Sequence, residues 1–428
     1  MMANAKRIEI RFPRLGVVRA AGHHEMAGGK RDDYDTPWAV NCRPLGVLDR
    51  RRRGGSRAGI AVGGTALPTP PLTVSGNTAV VYNSATGTSS VVTASAGALP
   101  ATFTLGTIYR GRLLLASDHA ISASRMGDFT DWDYGASLDD SARPTKLQLA
   151  EAFGGGEDVT ALVGYKDRDL LAATEAELWH LAGDPVTGEL HNVSRSTGII
   201  GSQAWTLVGG TVFFMAKDGL WSVGVDGSDL KPVSPGVIPD DLVDLSGANT
   251  MLAYSPTEQG IYLFTDGETY QWFYDLVDGG FWPMTMASVP NQSALVDGEL
   301  RLARTGTTME IGGEETITSD VLLGPLRLNT SGGFGQIQAL NGTMALESGS
   351  VTWSIILGDT AESAAERARA AVGGTTGYVA ATGTFTAGRS HMAYPRSRSP
   401  WAVLWLSSTA QWAYESLVLD LIPSGEWR

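Results

Sequence analysis

The sequence predicts an all-β chain: an irregular five- or six-bladed β-propeller followed by a C-terminal β-sandwich carrying one α-helix. Three observations carry this expectation. Short apolar runs alternate with polar residues at a period of two, the pattern of half-buried strands. Between the runs lie Gly209-Gly210, Asp218-Gly219, Asp226-Gly227, Asp266-Gly267 and Asp278-Gly279, pairs that supply the positive φ a tight hairpin needs. Trp179, Trp221 and Trp272 each fall on the later strand of one such unit, at roughly the 40–50-residue spacing of four-stranded propeller blades.

Bulk composition narrows the class further. The chain has 428 residues, 43% of them hydrophobic, enough for more than one core. Its 53 glycines follow no three-residue period, which excludes collagen and suits a turn-rich β protein. Cys42 is the only cysteine, so an intrachain disulfide and a cysteine-built zinc site are both excluded. The N-terminal "MMANAKRIEIRFPRLGVV" is basic but lacks the apolar stretch of a Sec signal. No run of about 18 apolar residues occurs, so no membrane insertion is expected.

Residues 1–59 read as a basic arm. Ile8, Ile10 and Phe12 alternate with Glu9 and Arg11 in a short strand pattern, and Arg50–Arg53 followed by Gly54-Gly55 reads as a charged turn outside any core. Residues 1–60 hold 13 Lys/Arg against 6 Asp/Glu, a surplus of seven positive charges that leaves the rest of the chain at −20. An acidic body is a poor match for phosphates, since nucleic-acid binders neutralise backbone charge with a basic face. Such asymmetry suits docking of an arm onto a neighbour.

Residues 60–315 form the expected propeller. "TAVVYNSATG" is a strand and turn, and "IYRGRLLLASDHAISASRMGDF" holds two strands joined near Asp118-His119. "VTALVGYKDRDLLAATEAELWHLAGDP" holds three, with later units repeating the logic through Trp221 and Trp272. Residues 316–428 form the expected sandwich, from "DVLLGPLRL", "QIQALNGTMAL", "VTWSIIL", "WAVLWLS" and "WAYESLVLDLI". Asn341-Gly342 is predicted as a tight turn. "DTAESAAERARAAVGG" is predicted as the helix, with Asp359 and Glu362 as its capping pair and Gly373-Gly374 as its stop.

Chemistry-bearing patterns are sparse, and no catalytic residue, cofactor or metal is predicted. The six histidines show no HExxH or HxH spacing. "GGSRAG" places Ala58 where a nucleophile elbow needs its second glycine, and no phosphate loop occurs. Aspartates lie scattered in turns, where bonding to local backbone is their ordinary role. The densest set is "ISASRMGDFTDWDYG". Asp128, Asp131 and Asp133 are the remaining metal candidates there, yet they lack the spacing, glycine and terminal glutamate of an EF-hand loop. The sialidase aspartate box, Ser-x-Asp-x-Gly-x-Thr-Trp, is not matched either. The segment reads as a blade corner in which Phe129, Trp132 and Tyr134 pack between sheets while the aspartates hold turn amides. Trp179, Trp221 and Trp272 are expected to pack in the same way.

In their order of appearance, "NCRPLGVLDRRRRGG", "ISASRMGDFTDWDYG", "VTALVGYKDRDLLAATEAELWHLAGDP" and "STGIIGSQAWTLVGGTVFFMAKDGLWSV" resemble segments of bacteriophage tail hub and nozzle proteins. "SHMAYPRSRSPW" and the closing "WAYESLVLDLIPSGEWR" are similar to that family's C-terminal strands. The resemblance implies a structural virion protein of the phage tail, assembled in the bacterial cytoplasm. It implies a homo-oligomeric ring, a hexamer, continuing the DNA channel that retains and ejects the genome without sequence-specific binding. Adaptor and fibre or spike proteins are the implied neighbours, and no catalytic residue is carried over. Arg50, Arg51, Arg52 and Arg53 are the candidate inter-subunit contacts, because guanidinium forks pair with a neighbour's carboxylates. The alternative is a receptor-binding or baseplate-peripheral module touching host glycans through the C-terminal domain, by Trp401, Trp405, Trp412 or Trp427, although Trp401 and Trp405 share one face of an alternating strand, as core residues do.

Overall fold

From Leu72 to Ile311 the computed structural model is a succession of antiparallel sheets made mostly of consecutive strands, with one two-stranded parallel pairing of Ala96–Gly97 and Asp131–Trp132 among them. The structure describes residues 6–14, 16–17, 36–45, 53–137, 139–149, 157–238, 240–313, 315–329, 333–346, 348–386 and 390–423. The chain is all-β with four-stranded sheets of the propeller-blade type and one α-helix. Its contacts divide it into two units, residues 67–253 and residues 1–66 with 254–428.

The unit of residues 67–253 begins with a three-stranded sheet, Leu72–Ser75, Thr78–Asn83 and Thr88–Val91. Three four-stranded sheets follow. The first runs Leu105–Tyr109, Arg112–Ser117, Ala120–Ala123 and Thr145–Gln148. The second runs Ala161–Tyr165, Asp169–Ala173, Leu178–Ala182 and Glu189–Ser194. The third runs Trp205–Val208, Thr211–Ala216, Gly219–Gly224 and Lys231–Pro232. Neighbouring sheets share an apolar core: Leu114, Ala116 and Ile121 of one pack with Leu162, Leu170 and Trp179 of the next. Those residues alternate along their strands, and the residues between them, such as Leu113 and Leu115, are buried on the opposite face.

The other unit holds two further blade sheets and the C-terminal domain. Thr250–Ser255, at the division, Gly260–Thr265, Gln271–Asp275 and Phe281–Met284 form one sheet. Gln292–Val296, Glu299–Arg304 and Thr307–Ile311 form the next, and its fourth strand, Ile60–Val62, comes from the start of the chain. An edge strand is a liability when left unpaired, and this exchange covers one.

The C-terminal domain is two sheets and the helix. Ala39–Val40, Ser319–Arg327, Trp401–Ser408, Val351–Gly358 and Val379–Phe385 make a five-stranded sheet, in the order Ala39, Ser319, Trp401, Val351, Val379 by first residue. The other, seven-stranded, is centred on Gly335–Met344 and Ala413–Pro423. The two face each other where Phe385 lies on Gly342, at which a Cβ would stand 3.0 Å from the ring. The helix Ala361–Val372 buries Ala364, Ala368 and Ala371 against Leu322, Ile356 and Val403. Its small residues allow close approach, for a Cβ at Gly358 would come within 2.5 Å of the Ala364 nitrogen.

Four expectations are corrected here. The described parts of residues 1–59 are not a separate arm. Lys6–Ile10 pairs with Ala413–Pro423, and Ala39–Val40 with Ser319–Arg327. Gly54 and Gly55 belong to the strand Arg53–Ser56, not to a turn, and Gly54 lies so close to Phe12 that a Cβ would fall 1.7 Å from its ring. Asn341-Gly342 runs straight through Gly335–Met344, which is paired along both edges there and so has no room to turn. The helix cap is also one residue later than expected. Thr360 accepts from Ser363 N at 3.1 Å, while Ser363 Oγ accepts from Thr360 N at 3.2 Å. Hydroxyls reciprocate in this way without the longer reach of Asp359 and Glu362.

Candidate functional site

The blade-corner segment 121–135 follows the strand Ala120–Ala123. Asp128 Oδ1 accepts from Thr130 N at 2.8 Å and Thr130 Oγ1 at 2.7 Å, bonds that hold its carboxyl below the usual range. Asp131 Oδ1 accepts from Asp133 N at 3.0 Å, and Asp133 Oδ1 from Gly135 N at 2.9 Å. Each aspartate thus closes a turn two residues long. Arg125 reaches Asp140 at 2.6 Å and Asp131 at 3.8 Å. Among the described residues no three His, Cys, Asp or Glu side chains converge as a metal site would require.

The aromatics of this corner separate into two kinds. Trp132 is fully buried with Leu113, Leu115 and Phe103, Phe129 packs against that group, and Trp132 Nε1 donates to Phe129 O at 2.9 Å. Tyr134 is 43% exposed and lies at the surface rather than filling space between sheets. Trp179, Trp221 and Trp272 each occupy the third strand of their sheet, opposite Ala172, Phe214 and Leu263. Trp179 and Trp272 are buried. Trp221 is only partly so, and its Nε1 donates to Asp218 Oδ1 at 2.8 Å in the preceding turn.

Of the four candidate contact arginines, Arg50, Arg51 and Arg52 lie outside the described residues, and Arg53 is described only as a strand residue opposite Leu45. Three other arginines emerge instead, all buried. Arg112 pairs bidentately with Asp184, Nε to Oδ2 at 3.0 Å and Nη2 to Oδ1 at 3.2 Å. Its remaining N–H groups donate to the carbonyls of Ser124, Ser141, Ala142 and Arg143. Arg57 forks onto Glu315 at 3.0 and 3.1 Å and also donates to Asn41 Oδ1, Ala58 O and Thr285 O. Arg43 donates to Glu258 and to Tyr262, with its guanidinium 3.9 Å from the centre of the Phe273 ring. Burial pushes the Tyr262 hydroxyl's pKa up.

These clamps answer the charge asymmetry. Arg7, Arg43 and Arg57, counted as arm charge, meet Asp420, Glu258 and Glu315 inside their own unit. The sequence signal that would have found Arg112 is an arginine beside an apolar strand run, as in "IYRGRLLLAS"; Arg43 in "NCRPLG" and Arg57 in "GGSRAG" carry no such signal. A buried arginine must be paired, because an isolated buried charge is prohibitively costly.

The C-terminal tryptophans are engaged within their own domain. Trp401 and Trp405 are partly buried and pack with the helix cluster, Trp405 Nε1 donating to Asp320 Oδ1 at 2.9 Å. Trp412 is 3% exposed, stacks on Tyr414 and donates to Ser319 Oγ at 2.8 Å. Trp427 lies outside the described residues.

No family model and no curated protein matches the chain. Solved structures similar to it include Hsv2 of Kluyveromyces lactis, at 10% identity and a TM-score of 0.34, covering 67% of this chain and 80% of that one. A calcium-binding protein, regucalcin, from Agrobacterium tumefaciens matches at 18% identity and 0.33, covering 55% and 82%. Dihydro-heme d1 dehydrogenase NirN matches at 11% identity and 0.35, covering 68% and 55%. The chemistry of those proteins does not transfer at such identities.

Proposed function

We propose that the chain is a structural subunit of a bacteriophage tail, of the hub or nozzle kind, assembling as a homo-oligomeric ring around the DNA channel. The observation that carries this reading is where the fold places its buried charge. Arg112, Arg57 and Arg43 all turn inward onto carboxylates and carbonyls far away in sequence. Paired polar networks such as those of Arg112 and Arg57 rigidify a fold, and stiffness is what a load-carrying conduit subunit needs. The ordered run of tail-type segments in the sequence supports the same reading.

Genomic DNA would pass such a ring without tight binding, because the chain carries a net charge of −13. The rival, host-glycan contact through the C-terminal tryptophans, has less support, since Trp401, Trp405 and Trp412 are held by their own domain. Electron microscopy and mass photometry of the purified chain, alone and with its tail neighbours, test the proposal. Closed rings with an axial opening are expected; a chain that stays monomeric in both preparations refutes it.

A further inference from the structure

A cleft of about 600 Å³ opens between the blade sheet that begins at Ala161 and the one that begins at Trp205, both inside the unit of residues 67–253. That volume suits a small polar ligand. Two features mark the cleft as built. Ser222, on its lining, is fully buried and its hydroxyl has no hydrogen-bond partner. Buried polar groups are nearly always paired, with protein, water or a ligand, so an orphan in a cleft wall is a place where a ligand hydroxyl can pair. Asp169 is 5% exposed and is held by His180 Nε2 at 2.9 Å, a buried carboxylate fixed at the edge of the same space.

The other lining groups restrict what the ligand is. Lys166, Arg168 and Lys231 stand exposed on the rim; Arg168 Nε lies 3.6 Å from Asp169 Oδ2, while no carboxylate lies within ion-pair distance of either lysine among the described residues. Asp226 and Asp229 line the cleft too. Asp226 Oδ1 already accepts from Ser228 N and Oγ, which leaves its second oxygen for a donor. With Asp169 paired to Arg168, Asp226 and Asp229 still oppose a phosphate dianion, and all three carboxylates accept well from hydroxyl donors. The lysines supply charge-assisted bonds to a single carboxylate. Thr211 and Tyr165 also line the walls, with Lys166 Nζ 5.0 Å from the centre of the Tyr165 ring.

We infer that this cleft binds a saccharide bearing one carboxylate, its hydroxyls on Asp169, Ser222 and Asp226 and its acid group between Lys166 and Lys231. The inference does not depend on ring assembly, and ring formation is read separately for each variant.

The experiment is calorimetric titration of the full chain with a glucuronate-containing disaccharide, its neutral glucose counterpart and inorganic phosphate. The uronate sugar is expected to bind best and phosphate not at all. K166Q/K231Q should lower the affinity for the uronate sugar by about tenfold and erase its preference over the neutral one. Ser222→Ala should weaken binding of both sugars without lowering the thermal midpoint, because the hydroxyl it removes has no partner in the fold. Absence of sugar binding, phosphate binding as tight as the sugar's, or variants that bind like the parent would each overturn the inference.

Discussion

Replacing Arg112 with methionine tests the clamp on which the stiffness of the blade sheets rests. Arg112 has no exposed surface and Asp184 only 5%, so the pair is fully desolvated. Removing one partner of such a pair costs about 3–5 kcal/mol, because the other charge stays buried. The carbonyls of Ser124, Ser141, Ala142 and Arg143 lose their donor at the same time. Two contacts moderate the loss: Val186 N still donates to Asp184 at 2.9 Å, and Arg110 Nε lies 4.0 Å from it. The lower half of the range is therefore expected. The assay is native-state hydrogen exchange at Arg112–Ser117 and Ala120–Ala123, which reads the unit that carries the change even when the two units unfold separately. Exchange there should accelerate by about two to three orders of magnitude. Adding Asp184→Leu to the same chain should recover part of the loss, since no lone charge then remains. A change below about 1 kcal/mol in those amides would show that the clamp is ornamental, not structural.

Three further outcomes follow from the same geometry. Gly54→Ala should destabilise by about 1–3 kcal/mol through overpacking against Phe12, and Phe12→Leu in the same chain should restore some of it in urea denaturation. Trp132→Ala should cost about 3–5 kcal/mol as a core truncation, while Tyr134→Ala stays within about 0.5 kcal/mol as a surface change; equal midpoints would contradict the division between them. Burial, with Asp169 nearby, pushes the Tyr109 hydroxyl, which donates to Gly183 O at 2.7 Å, from 10.0 up to about 12. Its folded pKa is raised, so its contribution is complete below pH 10 and is lost as pH climbs toward 12. The thermal midpoint of the parent should fall more steeply across that window than that of Tyr109→Phe.

The clearest signals in the sequence were local ones. The runs through Leu170 and Ala172 and through Tyr262 and Phe264 are short apolar stretches of strand length, and both strands are buried on both faces. Glycines such as Gly227, Gly267 and Gly279 do adopt positive φ between strands. The aspartates of segment 121–135 bond to amides two residues ahead, which short-range chemistry also dictates.

Tertiary structure decided whatever depended on partners far along the chain. Asn341-Gly342 has a turn's composition but lies in a strand, because Ala413–Pro423 and Ser390–Ala393 pair with it on both sides. Tyr134 is an aromatic residue of the same short segment as Trp132, yet only Trp132 meets Leu113 and Leu115. Arg43 and Arg57 look like arm charge until Glu258 and Glu315, more than two hundred residues on, arrive beside them. Hydrophobic period and turn chemistry are properties of neighbours in sequence and can be read there. The pairing of a buried charge is a property of neighbours in space, and only the folded chain brings them together.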